Sequence, residues 1–153
     1  MKDSNGARVT VIGSGGRNGI VHAEGVLSAI SFGAPSDHPD EPTCWTPEHF
    51  LIAAVASCFI STFSDIAEKT QLEITSFILD AELVLGTNQG VHSPTRINLR
   101  PIVSIIKEQN RNEVIQLLEQ SARQCSVAQS LRLSVVVFPV VEIRGKLSVS
   151  ATI

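Results

Sequence analysis

Along the chain, hydrophobic and polar positions fall into blocks whose period changes. Residues 7–12, 19–23 and 26–32 are short runs rich in Val and Ile, broken by Gly13-Ser14-Gly15-Gly16 and by Gly25. Such β-branched runs between glycine turns predict a strand meander. Residues 33–46 carry Pro35, Pro39 and Pro42 among acidic and polar neighbours and predict a loop. Thr46-Pro47 then opens a helix, with the hydroxyl as N-cap, proline at the first helical position and Glu48 in the electropositive first turn. The helix is expected to reach about Thr70, and residues 50–67 are apolar or small on nearly every side, the pattern of a helix enclosed all round. Residues 73–85 and 96–106 predict two longer strands around a turn at residues 86–90. Asn110 is placed to cap a second helix whose Val114, Leu117, Leu118 and Ala122 form one apolar face, up to about Gln124. Residues 133–141 and 146–152 are strand-like. The class is α+β, with a β-meander on each side of a central buried helix.

A length of 153 residues is that of one domain, taken here as residues 1–153, and is large enough to bury a core without staples. Charged residues make up only 18%, against a usual value of about 25%. With 43% hydrophobic residues, disorder is excluded, and the sparse charge points to a surface partly covered by another subunit. Twelve Lys and Arg against 15 Asp and Glu give a net charge of −3 with no basic run, so no nucleic-acid partner is expected. The first residues lack the apolar stretch of a secretory signal, and residues 50–64 fall short of the ~18 apolar residues that a span needs. The expectation is therefore a cytoplasmic protein with no membrane partner. Three cysteines, Cys44, Cys58 and Cys125, are too few and too scattered for a disulfide framework and are expected as thiols.

Three places can carry chemistry. Gly13-Ser14-Gly15-Gly16-Arg17-Asn18-Gly19 follows a strand, as dinucleotide-binding glycines do, but no helix follows to meet a pyrophosphate; a hairpin turn explains it, and no cofactor is expected. Arg17 is the one residue there that a turn does not require. The other two places are Cys58, inside the apolar helix, and Cys125, closing the second helix, where thiols by themselves are ordinary packing groups. The three cysteines with His22, His38, His49 and His92 offer metal-binding atoms, but no ligand spacing of the C-x-x-C or H-x-x-x-H kind, so no metal is expected.

Taken in order, Thr46-Pro47-Glu48-His49-Phe50-Leu51, Ala53-Ala54-Val55-Ala56-Ser57-Cys58-Phe59 and Cys125-Ser126-Val127-Ala128-Gln129-Ser130-Leu131 resemble the OsmC/Ohr family of organic hydroperoxide reductases. The resemblance runs from about Gly13 to Val141. It implies an intertwined homodimer and a thiol peroxidase in which Cys58 attacks an organic (alkyl or lipid) hydroperoxide and becomes a sulfenic acid, after which Cys125 closes a disulfide. It also implies that Arg17 and Glu48 attend the reactive thiol, and that a lipoyl-type dithiol is the reductant. Ser126 stands where many members have proline, and Cys44 has no counterpart in the family pattern.

The chemistry needs such attendants. A free thiol with a pKa of about 8.5 is only ~3% ionised at pH 7, and burial makes ionisation harder, so a cation such as Arg17, aimed by Glu48, is expected at the sulfur. Ten residues separate Glu48 from Cys58, which on an unbroken helix is ~15 Å of rise. Either the helix breaks near residues 53–56, or Glu48 and Arg17 come from a second chain; the second option is preferred and predicts a homodimer with sites at its interface. Leu51, Ala54 and Val55, flanking Cys58, suit an alkyl or lipid hydroperoxide. The rival reading is a non-enzymatic dimer of the same fold that binds an apolar ligand, with both thiols structural.

Overall fold

The computed structural model describes residues 6–34, 44–88 and 90–144. The predicted strand over 146–152 and most of the predicted loop lie outside them. The chain divides into two compact units, one up to Leu51 and one from Ile52.

In the first unit, β1 (Val9–Gly15), β2 (Asn18–Ala23) and β3 (Ile30–Phe32) form an antiparallel sheet in the order β1-β2-β3. Gly15 pairs with Asn18, so Gly16 and Arg17 are the two turn residues. Gly16 has φ 60°, the left-handed conformation that glycine supplies at the first position of II′-type hairpins. Ser14 has no partner in the ladder, because Gly13 pairs with Gly19 across a bulge. Gly19 is required for a different reason: a Cβ there would lie 2.6 Å from the Ile12 carbonyl and 2.7 Å from the Phe32 ring. The third strand is shorter than expected. Gly25, at φ 77°, and a hydrogen bond of 3.2 Å from Val26 N–H to the Ala23 carbonyl turn the chain, so pairing resumes only at Ile30.

The helix α1 (Pro47–Lys69) begins and ends close to where the Thr46-Pro47 start and the composition place it. It is not enclosed on all sides within the chain. One stripe, Val55, Phe59, Phe63 and Ala67, is buried at a spacing of four, while Ala54, Ser57, Ser61 and Ser64 are exposed. The reason is that the chain itself packs against one face: Phe59 and Phe63 meet Phe77 edge-on, with centroids 6.3 and 4.9 Å apart. By length and apolar composition α1 resembles a membrane-crossing helix, but this stripe is committed to a core built on a sheet.

The second sheet is built on a long hairpin, β4 (Ile74–Asn88) and β5 (Val91–Ile105). Its strands extend further than the sequence predicts because Asn88 pairs with Val91, leaving a tight turn with Gly90 at φ 79°. The rest of the sheet is not a meander. From β5 the chain passes through a short 3-10 turn into α2 (Arg111–Gln124) and then α3 (Ser126–Ser130). It returns as β6 (Ser134–Val137) and β7 (Val140–Ile143), both parallel to β5. The single strand expected over 133–141 is split at Pro139, which has no N–H for the ladder. Asn110 precedes α2 in helical geometry without a side-chain cap bond. Arg111 anchors that end instead, donating to Glu108 at 2.7 Å and to the Val141 carbonyl at 2.7 Å. Along β5, Ile97, Leu99, Val103 and Ile105 face the core with the α1 stripe and with Val114, Leu117 and Leu118 of α2.

Candidate active site

Cys58 sits at the edge of the buried stripe of α1, one position before Phe59, and is half-buried. Cys125 is fully buried at the junction of α2 and α3. Its backbone is held on both sides: its N–H donates to the Ser121 carbonyl at 2.8 Å, closing the last turn of α2, and its carbonyl accepts from Gln129 N–H at 3.0 Å, opening α3. Its sulfur lies 3.9 Å from the Val55 carbonyl of α1. The fold thereby brings two thiols that are 67 residues apart in sequence close enough for each to shift the other's ionisation. Both are free thiols, as is the exposed Cys44.

The two thiols have opposite tendencies. Burial alone would push Cys58 up. Hydrogen bonding from the neighbouring Cys125 thiol, the Val127 N–H and the Ser126 hydroxyl outweighs it and holds Cys58 below the ordinary thiol value. Burial, and then the neighbouring Cys58 sulfur, push Cys125 up. One of these donors is visible as a contact to the sulfur. Ser126 Oγ is 3.8 Å from Cys58 Sγ, and Thr62 Oγ1 is one turn beyond Cys58, donating to its carbonyl at 2.8 Å. The arrangement places a more acidic thiol beside a less acidic one, a combination able to form, and later reopen, a disulfide.

Sequence reasoning looked for a cation and missed Ser126 and Val127. The signal was present, since Ser126 and Val127 directly follow Cys125 and any fold that delivers that sulfur to Cys58 delivers them too.

Arg17 and Glu48 are placed differently. Arg17 is in the β1–β2 turn and Glu48 is in the first turn of α1, both exposed. Among the described residues neither takes part in an ion pair, so the expected Arg17–Glu48 pair is not made within one chain. α1 is unbroken from Pro47 to Lys69, which removes the option of a break near residues 53–56 and leaves Glu48 ~15 Å along the axis from Cys58 of its own chain. Val55, expected beside a substrate, is fully buried in the core and cannot line an accessible site; Leu51 is half-buried and Ala54 exposed.

The start of α1 is locally ordered. Thr46 N–H donates to His49 Nδ1 at 3.0 Å, a capping-box arrangement with an imidazole in the usual Glu or Gln position. The Thr46 hydroxyl also lies 3.0 Å from that nitrogen, at the turn that carries Glu48. Its hydrogen bond, followed by one from the Glu48 backbone, holds that carboxyl below the usual carboxylate range. His49 thus serves as a capping group. Among the described residues no group of three or more His, Cys, Asp or Glu side chains is arranged to hold a metal ion.

A family model described as OsmC-like protein matches residues 38–138, well over half of the chain. The chain belongs to the OsmC-like family. The match includes Glu48, Cys58 and Cys125, and Arg17 lies before it. This OsmC-like chain is 25% identical over 123 residues to the uncharacterized protein YmaD of Bacillus subtilis (strain 168), covering 77% of this chain and 81% of that one. Its fold is similar to that of an OsmC-like protein of unknown function from Vibrio cholerae, with a TM-score of 0.76 and 22% identity, over 90% of this chain and 100% of that one. It is also similar to an organic hydroperoxide resistance protein from Elizabethkingia anophelis, with a TM-score of 0.70 and 18% identity, over 94% of this chain and 100% of the other. At these identities the structural neighbours establish the α+β fold, with its sheets and central helix.

Proposed function

We propose that this OsmC-like protein is a thiol-dependent peroxidase that reduces organic hydroperoxides, with Cys58 as nucleophile and Cys125 as resolving thiol. The observation that carries this reading is the neighbouring thiol pair, with Cys125 seated 3.9 Å from the Val55 carbonyl of α1 and the adjoining Ser126 hydroxyl 3.8 Å from the Cys58 sulfur, Cys58 being held low and Cys125 pushed high. The Cys58 thiolate attacks the outer peroxide oxygen, the S–O bond forms, and the O–O bond breaks with its electron pair leaving on the alkoxide. Sulfur is oxidised by two electrons to sulfenic acid and the peroxide is reduced to an alcohol, whose proton comes from water. Cys125 then attacks the sulfenic sulfur, forming the Cys58–Cys125 disulfide and releasing water. A dithiol of the lipoyl type reopens it, becoming a disulfide itself. A reducing compartment such as the cytoplasm suits a pair that must return to thiols.

Working as a homodimer, a partner chain would bring its own Glu48 and Arg17 to Cys58. The unbroken α1 and the apolar residues it leaves outside its buried stripe support this. The hydroperoxide-resistance role of the Elizabethkingia anophelis neighbour supports an organic substrate. Turnover of cumene hydroperoxide with a dithiol reductant tests the reading. Cys58→Ser abolishes it, and Cys125→Ser stalls at sulfenic acid and overoxidises; full activity in Cys58→Ser would refute it. Hydrogen peroxide turned over as well as cumene hydroperoxide would count against the organic preference.

A further inference from the structure

We propose that Ser126 is a further catalytic residue, its hydroxyl donating a hydrogen bond to the Cys58 sulfur before attack and to the departing alkoxide oxygen during it. The second half of this inference rests on the peroxidase reading, whereas the first half stands on the thiol alone.

The geometry that carries it is the 3.8 Å separation of Ser126 Oγ and Cys58 Sγ, within reach of a hydrogen bond to sulfur. The placement is enforced by the backbone. Ser126 follows Cys125, whose N–H and carbonyl are both tied down, so the anchor that presents the second thiol presents this hydroxyl with it. The other candidates are less suited to a lasting role. The single hydroxyl proton of Thr62 is directed at the Cys58 carbonyl at 2.8 Å, which leaves none for the sulfur. The Cys125 thiol gives up its proton when it becomes part of the disulfide, so it cannot remain a bystander donor through the cycle. Ser126 is unchanged by every step, and it is exposed, so an incoming peroxide can meet it. An alcohol of its acidity lends a hydrogen bond rather than a proton, and the proton that completes the product alcohol is drawn from water. Hydrogen bonds to an ionised group are stronger than neutral ones, so one hydroxyl is enough to change the thiolate population measurably.

The test is Ser126→Ala and Ser126→Thr in the full chain with Cys44→Ser, following the Cys58 thiolate by ultraviolet absorbance against pH and kcat/KM with cumene hydroperoxide. Ser126→Ala is expected to move the titration midpoint to higher pH, lower the thiolate population about tenfold on the acid side, and lower kcat/KM about three- to fourfold through the thiolate and further through the lost hydrogen bond to the alkoxide. Ser126→Thr, which keeps the hydroxyl, restores both. Circular dichroism of this exposed-site variant establishes that it is folded. A Ser126→Ala protein that titrates and turns over like the parent overturns the inference while leaving Cys58-dependent turnover, and the peroxidase reading, in place. If the parent turns over no hydroperoxide, the peroxidase reading falls and the titration alone decides whether this hydroxyl holds the sulfur.

Discussion

Replacing Cys125 by alanine removes the neighbouring thiol, the foremost of the groups that lower Cys58, and leaves the Val127 N–H and Ser126 hydroxyl in place. A hydrogen bond to a charged group contributes roughly 1.5 kcal/mol at the low end, which corresponds to about a tenfold smaller thiolate population well below the midpoint. The thiolate that remains is more basic. With a Brønsted slope of about 0.4–0.5, as in attack on disulfides, it is about threefold more nucleophilic, so the alkylation rate of Cys58 should fall only about three- to fourfold. Cys125 is 0% exposed, and deleting its sulfur should also cost about 1 kcal/mol of stability, as for a buried methyl group. The assay is iodoacetamide labelling of Cys58 against pH in a Cys44→Ser background, read by mass spectrometry and paired with thiolate absorbance. Cys125→Ser keeps a hydroxyl donor and should hold Cys58 close to its original titration while still failing to form the disulfide. The reasoning is refuted if Cys125→Ala leaves the Cys58 titration where it was, because the partner thiol would then not be what lowers it.

Three further outcomes follow from the geometry. Phe63→Ala empties the edge-on contact with Phe77 in the α1 core and should destabilise the chain by about 3–5 kcal/mol in urea unfolding; a loss below about 1 kcal/mol contradicts the packing. Glu48→Gln and Arg17→Ala should each lower kcat/KM at least about tenfold with folding unchanged, if a second chain brings these side chains to Cys58. A monomer by analytical ultracentrifugation that still turns over peroxide would overturn that arrangement. Hydrogen bonding holds Cys58 low, so its thiolate persists to lower pH than that of a free cysteine, and the acid limb of kcat/KM should lie below that of an ordinary thiol. By linkage, the same lowering stabilises the folded chain above the unfolded thiol pKa. That contribution disappears as pH falls through the folded value, and a pH series of unfolding midpoints on Cys58→Ser against the parent reads it out.

Local signals were the legible ones. Thr46-Pro47-Glu48 marks the start of α1 because capping and a fixed proline φ act within a few residues, and the 3.6 period of Val114, Leu117 and Leu118 marks α2. The parallel return of β6 and β7 was not legible, since pairing Arg96 with Ser134 depends on a crossover that no local pattern encodes. The composition of α1 suggested enclosure on all sides, but hydropathy records how much apolar surface a helix has and not which chain covers it. At the site, Cys58 and Cys125 were readable as an ordered motif. The way Cys58 is held low was not, because the Val127 N–H is a backbone group that every residue but proline carries. Its meaning arises only where α3 meets α1.

The central claim is that the two neighbouring thiols work as a peroxide-reducing pair, and one equivalent of cumene hydroperoxide tests it most directly. After anaerobic treatment and acid quenching, peptide mapping should find one new disulfide joining Cys58 to Cys125, with two thiols lost per chain and Cys44 still titratable. Recovery of Cys58 and Cys125 as free thiols with the peroxide unconsumed would contradict the account.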